Sequence, residues 1–383
     1  MGCQPSVIKF NFFRLIIKFL ILTSTMKEFL EPYQIFDDPI KYYNAMLEDI
    51  EKAKEYILLE TYRVGNDTIG IKFRDALTEK TKEGVKVRVL IDSWGGKSLS
   101  DHFFDELIQY GGQVRYFEKV KFDFDFFTKG HRRNHRKLLI IDDDISYVGS
   151  TNITEYNMNW REMVLRLKGD IAETFKKLFN QDFKIYNKYI YNKANNSRTV
   201  NHSSCQILRD VPSITSQKVM KKFVQLIKNA KKQVLIETPY FLPGFILRKT
   251  MIEAARRGVD VTVILPKNSD VGVVDILRNK YLGPLYENMV KFLFYTPHNL
   301  HAKAMLIDDE TYAIGSSNFD YRSFRYMYEI LLVGKDKRII QQVDDHFRHT
   351  MMHCEGFDYE RWLNRPVINK FFEWVLLPFR HLL

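Results

Sequence analysis

One eighteen-residue pattern occurs twice in this chain, and the two copies keep a single offset throughout. HRKLLIIDDDISYVGSTN runs from His135 to Asn152, and HAKAMLIDDETYAIGSSN runs from His301 to Asn318. His135 and His301, Lys137 and Lys303, Asp142 and Asp308, Ser150 and Ser316, and Asn152 and Asn318 are each 166 residues apart. The repetition extends beyond the motif. AKEYILLETY (Ala53 to Tyr62) matches KKQVLIETPY (Lys231 to Tyr240), and EGVKVRVLID (Glu83 to Asp92) matches RGVDVTVILP (Arg257 to Pro266). Such a period means two copies of one domain, and 383 residues suffice for two domains that each bury a core.

Within each copy the hydrophobic pattern alternates between periods. IKYYNAMLEDIEKAKE and GIKFRDALTEKTKEG have helical spacing, YILLETY is a short apolar run, and VKVRVLID alternates as a strand. FFDELIQYGG predicts a further helix, QVRYF a strand, and IAETFKKLFNQDFK a closing helix with a counterpart at IIQQVDDHFRH. Strands alternating with helices predict an α/β fold, in which helices cover a sheet. The expected layout is an N-terminal extension at 1–30, a first domain at 31–193, a polar linker at 194–214, a second domain at 215–352 and an amphipathic tail at 353–383.

A net charge of +11 predicts attraction to polyanions, with nucleic acid and anionic lipid both allowed. The three cysteines, Cys3, Cys205 and Cys354, form no CxxC or Cys/His cluster, which argues against a disulfide framework or a zinc site. In KFNFFRLIIKFLILT the apolar runs are broken by Arg14 and Lys18, short of the roughly 20 apolar residues of a span. That stretch reads either as an interfacial amphipathic segment or as an extension upstream of a working start at Met26. Tyr116 to Gly130 is aromatic-rich and reads as a membrane-facing loop or a packed lid, while His131 and the cations of HRRNHRK read as a solvated, phosphate-attracting rim. Phe371, Phe372, Trp374 and Phe379, near Arg380, suit interfacial burial or packing on the body.

Residues two apart in a strand share a face, so His135 projects with Lys137 and His301 with Lys303. Asp142 and Asp308 lie seven residues beyond their histidines, an odd separation that turns them away. Gly149 and Gly315 let the backbone approach closely, so that Ser150, Asn152, Ser316 and Asn318 present short polar groups beside the histidines. Two ammonium groups with serine and asparagine donors suit the charge that gathers on a five-coordinate phosphorus. One histidine can attack as nucleophile and the other protonate the leaving alkoxide. No metal and no cofactor is required.

The doubled pattern HxKx4Dx6GSxN resembles that of the phospholipase D superfamily, from about Tyr33 to about His349, and most resembles bacterial cardiolipin synthases of a short type without paired transmembrane helices. The resemblance implies two tandem pseudo-symmetric domains, each a mixed sheet flanked by helices. It implies a phosphatidyltransferase that joins two phosphatidylglycerol molecules into cardiolipin and releases glycerol through a phosphohistidine. It implies catalytic roles for His135, Lys137, Asp142, His301, Lys303 and Asp308, substrate binding by Ser150, Asn152, Ser316 and Asn318, and histidine orientation by Glu162 and Glu329. His135 takes the nucleophile's part and His301 that of acid and base, although pseudo-twofold symmetry lets them exchange. Met327 stands where the family often has asparagine, which bears on acceptor preference. The implied setting is peripheral, on the cytoplasmic face of a bacterial inner membrane, with anionic phospholipid as substrate and no nucleic-acid partner. A phospholipase D hydrolase and a nuclease of the same superfamily are the alternatives.

Overall fold

The computed structural model describes residues 32–118, 132–186 and 199–381. The first repeat contributes β1 (Tyr33–Phe36), β2 (Tyr56–Thr61), β3 (Lys86–Asp92), β4 (Gln113–Phe117), β5 (Arg133–Asn134), β6 (Leu138–Ile141), β7 (Ile145–Gly149) and β8 (Val164–Lys168). The second contributes β9 (Val200–His202), β10 (Cys205–Asp210), β11 (Gln233–Glu237), β12 (Asp260–Pro266), β13 (Lys291–Tyr295), β14 (Ala304–Ile307), β15 (Thr311–Gly315), β16 (Met327–Gly334) and β17 (Cys354–Gly356).

The strand order in one sheet is β1-β8-β7-β6-β2-β3-β4, and the other contains β10-β16-β15-β14-β11-β12-β13 in the same sequence, with β9 and β17 at its ends. The pairing directions agree as well. β2 and β3 run parallel to their next neighbours, as do β11 and β12, while the motif hairpins β6-β7 and β14-β15 are antiparallel. Each sheet is therefore mixed, and the fold is α/β with the two phospholipase D-like repeats that the sequence implies.

Helices form where the 3.6 period lies, at Pro39–Glu51, Thr68–Lys82, Ile171–Ile185 and Lys337–Met351. Asp38 and Asp67 cap the first two by accepting from backbone N–H groups of the first turn. One apolar core runs through both repeats. Leu58, Ile140 and Phe175 of the first pack in the same cluster as Ile207, Ile314 and Phe347 of the second. Each closing helix also grips the other repeat. Gln342 accepts from the N–H of Ile35 at 2.8 Å and donates to the carbonyl of Tyr33 at 3.0 Å, while Arg209 of β10 pairs with Asp182 at 3.1 Å.

Some expectations need revision. The stretch placed as linker, 194–214, lies partly outside the described residues, but its described part builds β9 and β10, the latter being the counterpart of β1. The extension at 1–30 and most of the Tyr116 to Gly130 stretch, with His131, lie outside the described residues. Arg133 and Arg136 form no solvated rim. Both are buried, Arg133 against Asp92 at 3.2 Å and Arg136 against Asp182, because each cation meets a buried carboxylate that balances it.

Asp142 and Asp308 are also not where a catalytic role would put them. Asp142 ends its strand at φ 51° and accepts the backbone N–H groups of Lys54, Glu55 and Tyr56 at 2.6, 2.8 and 2.8 Å. Asp308, at φ 54°, does the same for Lys231, Lys232 and Gln233 at 2.8, 2.7 and 3.0 Å. The aspartate of each motif thus ties the motif hairpin to the entrance of β2 or β11. Asp142→Ala removes three acceptor contacts and places alanine in the left-handed region, so it is expected to cost about 2 kcal/mol in urea denaturation. Activity per folded molecule should stay within about threefold, on the scale where tenfold is 1.4 kcal/mol. A variant as stable as wild type but inactive would return Asp142 to the chemistry.

Candidate active site

The histidine segments leave their own sheets to do their work. β5 pairs in parallel with β16 of the other repeat, and the N–H of His135 donates to the carbonyl of Tyr328 at 3.0 Å. The mirror arrangement has Arg161 bridged to Leu300, with the N–H of His301 donating to the carbonyl of Arg161 at 2.8 Å. Tyr328 and Arg161 are the residues just before Glu329 and Glu162. The backbone therefore delivers each histidine to the glutamate of the opposite repeat.

Side chains complete the exchange. Nδ1 of His135 lies 3.1 and 3.3 Å from the two oxygens of Glu329, and Nδ1 of His301 lies 2.7 Å from Oε1 of Glu162. Both carboxylates are completely buried. With Nδ1–H donated to a carboxylate, the lone pair of each ring sits on Nε2, the atom left for substrate. The hydroxyl of Ser316 donates to Glu329 and that of Ser150 to Glu162, while each serine oxygen accepts a backbone N–H, from Ile330 at 3.1 Å and Met163 at 3.0 Å. The sequence had suggested that Ser150 and Ser316 contact substrate; here both are fully buried and their hydroxyls are spent on the glutamates. The reason is steric. A Cβ on Gly149 or Gly315 would stand about 2.2 or 2.1 Å from the carbonyl oxygen of Met163 or Ile330, so glycine lets β7 and β15 close onto β8 and β16.

The lysines fold back along their strands. Nζ of Lys137 donates to the carbonyl of His135 at 2.7 Å, and Nζ of Lys303 to that of His301 at 2.6 Å. Burial pushes Lys137 down to about 7, with Lys303 adding to the effect against Glu329 and Glu162, and burial pushes Lys303 down to about 8. Burial and then Lys137 push His135 down to about 4 despite the pull of Glu329, and burial likewise lowers His301. Burial opposes ionisation of Glu329 and Glu162, yet their histidines, lysines and serines outweigh it and hold both carboxyls below the usual range. The result is a buried site in which two ionised glutamates face two lysines whose protonated forms burial disfavours, and an added phosphate would favour those protonated forms.

Among the described residues no hydrogen bond reaches Oδ1 of Asn152 or Asn318, and both atoms are buried. Three neighbours escaped the sequence reading. The ring of Tyr62 lies 5.4 Å from that of His135 and 5.5 Å from Nζ of Lys137, and Trp160 lies 4.9 Å from the ring of His301. Asn157 donates to Oε1 of Glu162 at 3.2 Å. Tyr62 closes a repeated segment and so carried a signal. Asn157 and Trp160 sit in ITEYNMNW, where the second repeat has a different sequence and the repeat offers no guide.

Two such repeats, sharing one histidine-lysine centre with crossed glutamates, define a phospholipase D-type transferase fold. The family model described as "Cardiolipin synthase, PLD-like domain" matches residues 46–184 and 223–351. The chain belongs to that family. It is 32% identical over 337 residues to the major cardiolipin synthase of Bacillus subtilis, covering 85% of this chain and 70% of that one. It is 31% identical to a cardiolipin synthase of Listeria welshimeri, covering 89% of this chain and 73% of that one. Among solved structures, the phosphatidylserine synthase of Haemophilus influenzae superposes with a TM-score of 0.76 at 14% identity, over 92% of this chain and 96% of that one. The polyphosphate kinase of Porphyromonas gingivalis does so with a TM-score of 0.62 at 13% identity, over 91% of this chain and 53% of that one. These two show the fold.

The lysine shifts make a stability prediction with a definite sign. A folded lysine near 7 binds fewer protons than an unfolded one across pH 7 to 10, so this group weakens the fold most at the acid end of that window. Relative to wild type, Lys137→Met is expected to gain most in urea resistance at pH 7, with the gain shrinking by about 1.4 kcal/mol per pH unit as pH rises. Turnover should be lost at every pH. A difference that stays flat from pH 7 to 10 contradicts a buried, depressed Lys137.

Proposed function

We propose that the protein is a phosphatidyltransferase that makes cardiolipin from two molecules of phosphatidylglycerol. The observation that carries this reading is the crossed pairing of two buried histidines with two glutamates, beside two lysines, in a chain of the cardiolipin synthase family. In the first half-reaction His301, protonated at Nε2 once the anionic phosphodiester is bound, faces the leaving group; Nε2 of His135 attacks phosphorus, the bond to the glycerol oxygen breaks, and His301 gives that oxygen its Nε2 proton. Glycerol leaves and the phosphatidyl group remains on His135. In the second, His301 takes the proton from a glycerol hydroxyl of the next phosphatidylglycerol. That oxygen attacks phosphorus, the P–N bond breaks and cardiolipin is released.

Each assigned residue has one task in this scheme. A neutral His135 is ready to attack at pH 7, in keeping with its depressed pKa. Lys137 and Lys303 take up full positive charge as the phosphodiester arrives and stabilise the five-coordinate oxygens, with the amides of Asn152 and Asn318 beside them. Glu329 and Glu162 orient the rings and support the imidazolium when it forms. No helix among the described residues is long and apolar enough to cross a membrane. The proposed setting is peripheral, on the anionic cytoplasmic face of a bacterial inner membrane, where basic residues contribute about 1 kcal/mol each.

Purified protein with phosphatidylglycerol vesicles should yield cardiolipin and free glycerol by mass spectrometry. His135→Ala should reduce this to background, and His301→Ala should slow it by roughly 100- to 10,000-fold, with melting temperatures within a few degrees of wild type. Phosphatidic acid as the sole product would make the enzyme a hydrolase. Cleavage of DNA without lipid turnover would make it a nuclease.

A further inference from the structure

The helix Val367–Leu376 is built inside out. Its buried residue is the acid Glu373, only 3% exposed, whose two oxygens receive Nε and Nη2 of Arg365 at 2.7 and 2.9 Å. Leu376 at its end packs on the core, but most of its apolar side chains point the other way. Val367 is 80% and Trp374 72% exposed, and Ile368, Phe371 and Phe372 are exposed beside them. A surface helix packed for water does the reverse. The orientation is anchored by packing, since Arg365 lies over the ring of Trp362 at 4.3 Å and the indole N–H of Trp362 donates to the carbonyl of Asn279 at 2.9 Å. That ring fits only because residue 283 is glycine, where a Cβ would come within about 2.0 Å of it.

The same face continues past the helix. Arg380, in the final turn Leu377–His381, borders a cavity of about 300 Å³ that it shares with Phe245, Ile246, Tyr321, Phe324 and Arg325. Phe245 and Ile246 are themselves well exposed. Nε of Arg380 is buried without a hydrogen-bond partner among the described residues, and the guanidinium lies 5.8 Å from the Tyr321 ring centre. Tyr321 opens the short helix Tyr321–Tyr326, three residues beyond Asn318 of the second motif. An outward apolar face, edged by cations and reaching to the catalytic segment, matches a surface with acyl chains inside and phosphates at its boundary.

We propose that this face docks the enzyme on an anionic phospholipid bilayer. The helix Val367–Leu376 lies in the headgroup layer with its aromatic side toward the acyl chains, and the cavity at Arg380 takes a lipid phosphate. This rests on the reading of the substrate as a lipid, and it fixes which side of the protein meets the membrane.

The test is flotation of the full chain with vesicles of phosphatidylglycerol and phosphatidylcholine, against phosphatidylcholine alone. Wild type should float with the anionic vesicles. Phe371→Ser with Trp374→Ser should weaken that partition by about tenfold or more, and Phe245→Ser with Ile246→Ser should weaken it independently. Both variants should melt as wild type does and turn over short-chain phosphatidylglycerol, below its micelle concentration, at the wild-type rate. Unchanged flotation of both variants overturns the proposal, as does equal wild-type binding to the two vesicle types. A wild-type dimer that the variants convert to monomer, with flotation unaltered, assigns the face to a second copy and overturns it too. Should wild type turn over no phosphatidylglycerol, the activity reading fails, while flotation still decides the docking face.

Discussion

The structure depends on a carboxylate of one repeat holding the histidine of the other. Glu329 holds His135 and Glu162 holds His301, so neither repeat contains a complete site. Both glutamates are buried, and a buried carboxylate is costly unless opposite charge and hydrogen bonds compensate it. Histidine, lysine and serine supply that compensation only when the repeats are joined. Packing of the halves and assembly of the chemistry are thus one event, and the shared core reinforces it from below with Phe175 and Phe347 in one cluster.

The charge balance at the centre follows from the same burial. Lys137 and Lys303 are enclosed together with the histidines, and the protonated forms of all four are disfavoured while the site holds only protein. A bound phosphodiester anion would favour the protonated forms that burial disfavours. On the proposed mechanism, substrate binding draws protons into the site, and the charge accumulating in the transition state meets donors held in place by the fold. The cost of keeping those cations buried falls on stability, which the capped turns at Asp142 and Asp308 and the crossed helices help to supply.

The repeat made the fold class and the alternation of strands and helices legible, because apolar runs such as YILLET and VKVRVLID keep their periods in both copies. The glutamates were legible by resemblance, and Glu162 and Glu329 follow the histidines of their own motifs by 27 and 28 residues along the chain. Their crossing was not, since spacing along a chain carries no record of which sheet a short segment such as Arg133–Asn134 joins. Ser150 and Ser316 looked like substrate contacts because the motif places them beside the histidine, but the close approach at Gly149 and Gly315 turns them onto the glutamates. Arg133 and Arg136 looked solvated because their partners, Asp92 and Asp182, lie 41 and 46 residues away in sequence. Asp142 was legible from strand parity alone, and the turn geometry supplies its three backbone partners.

The central claim is that the histidines are held crosswise, and nitrogen-15 NMR of the imidazole rings tests it most directly. With both rings assigned, Glu329→Gln should change the tautomer and titration of His135 and leave His301 as in wild type, and Glu162→Gln should do the opposite. A glutamine that perturbs the histidine of its own repeat instead would contradict the crossed site.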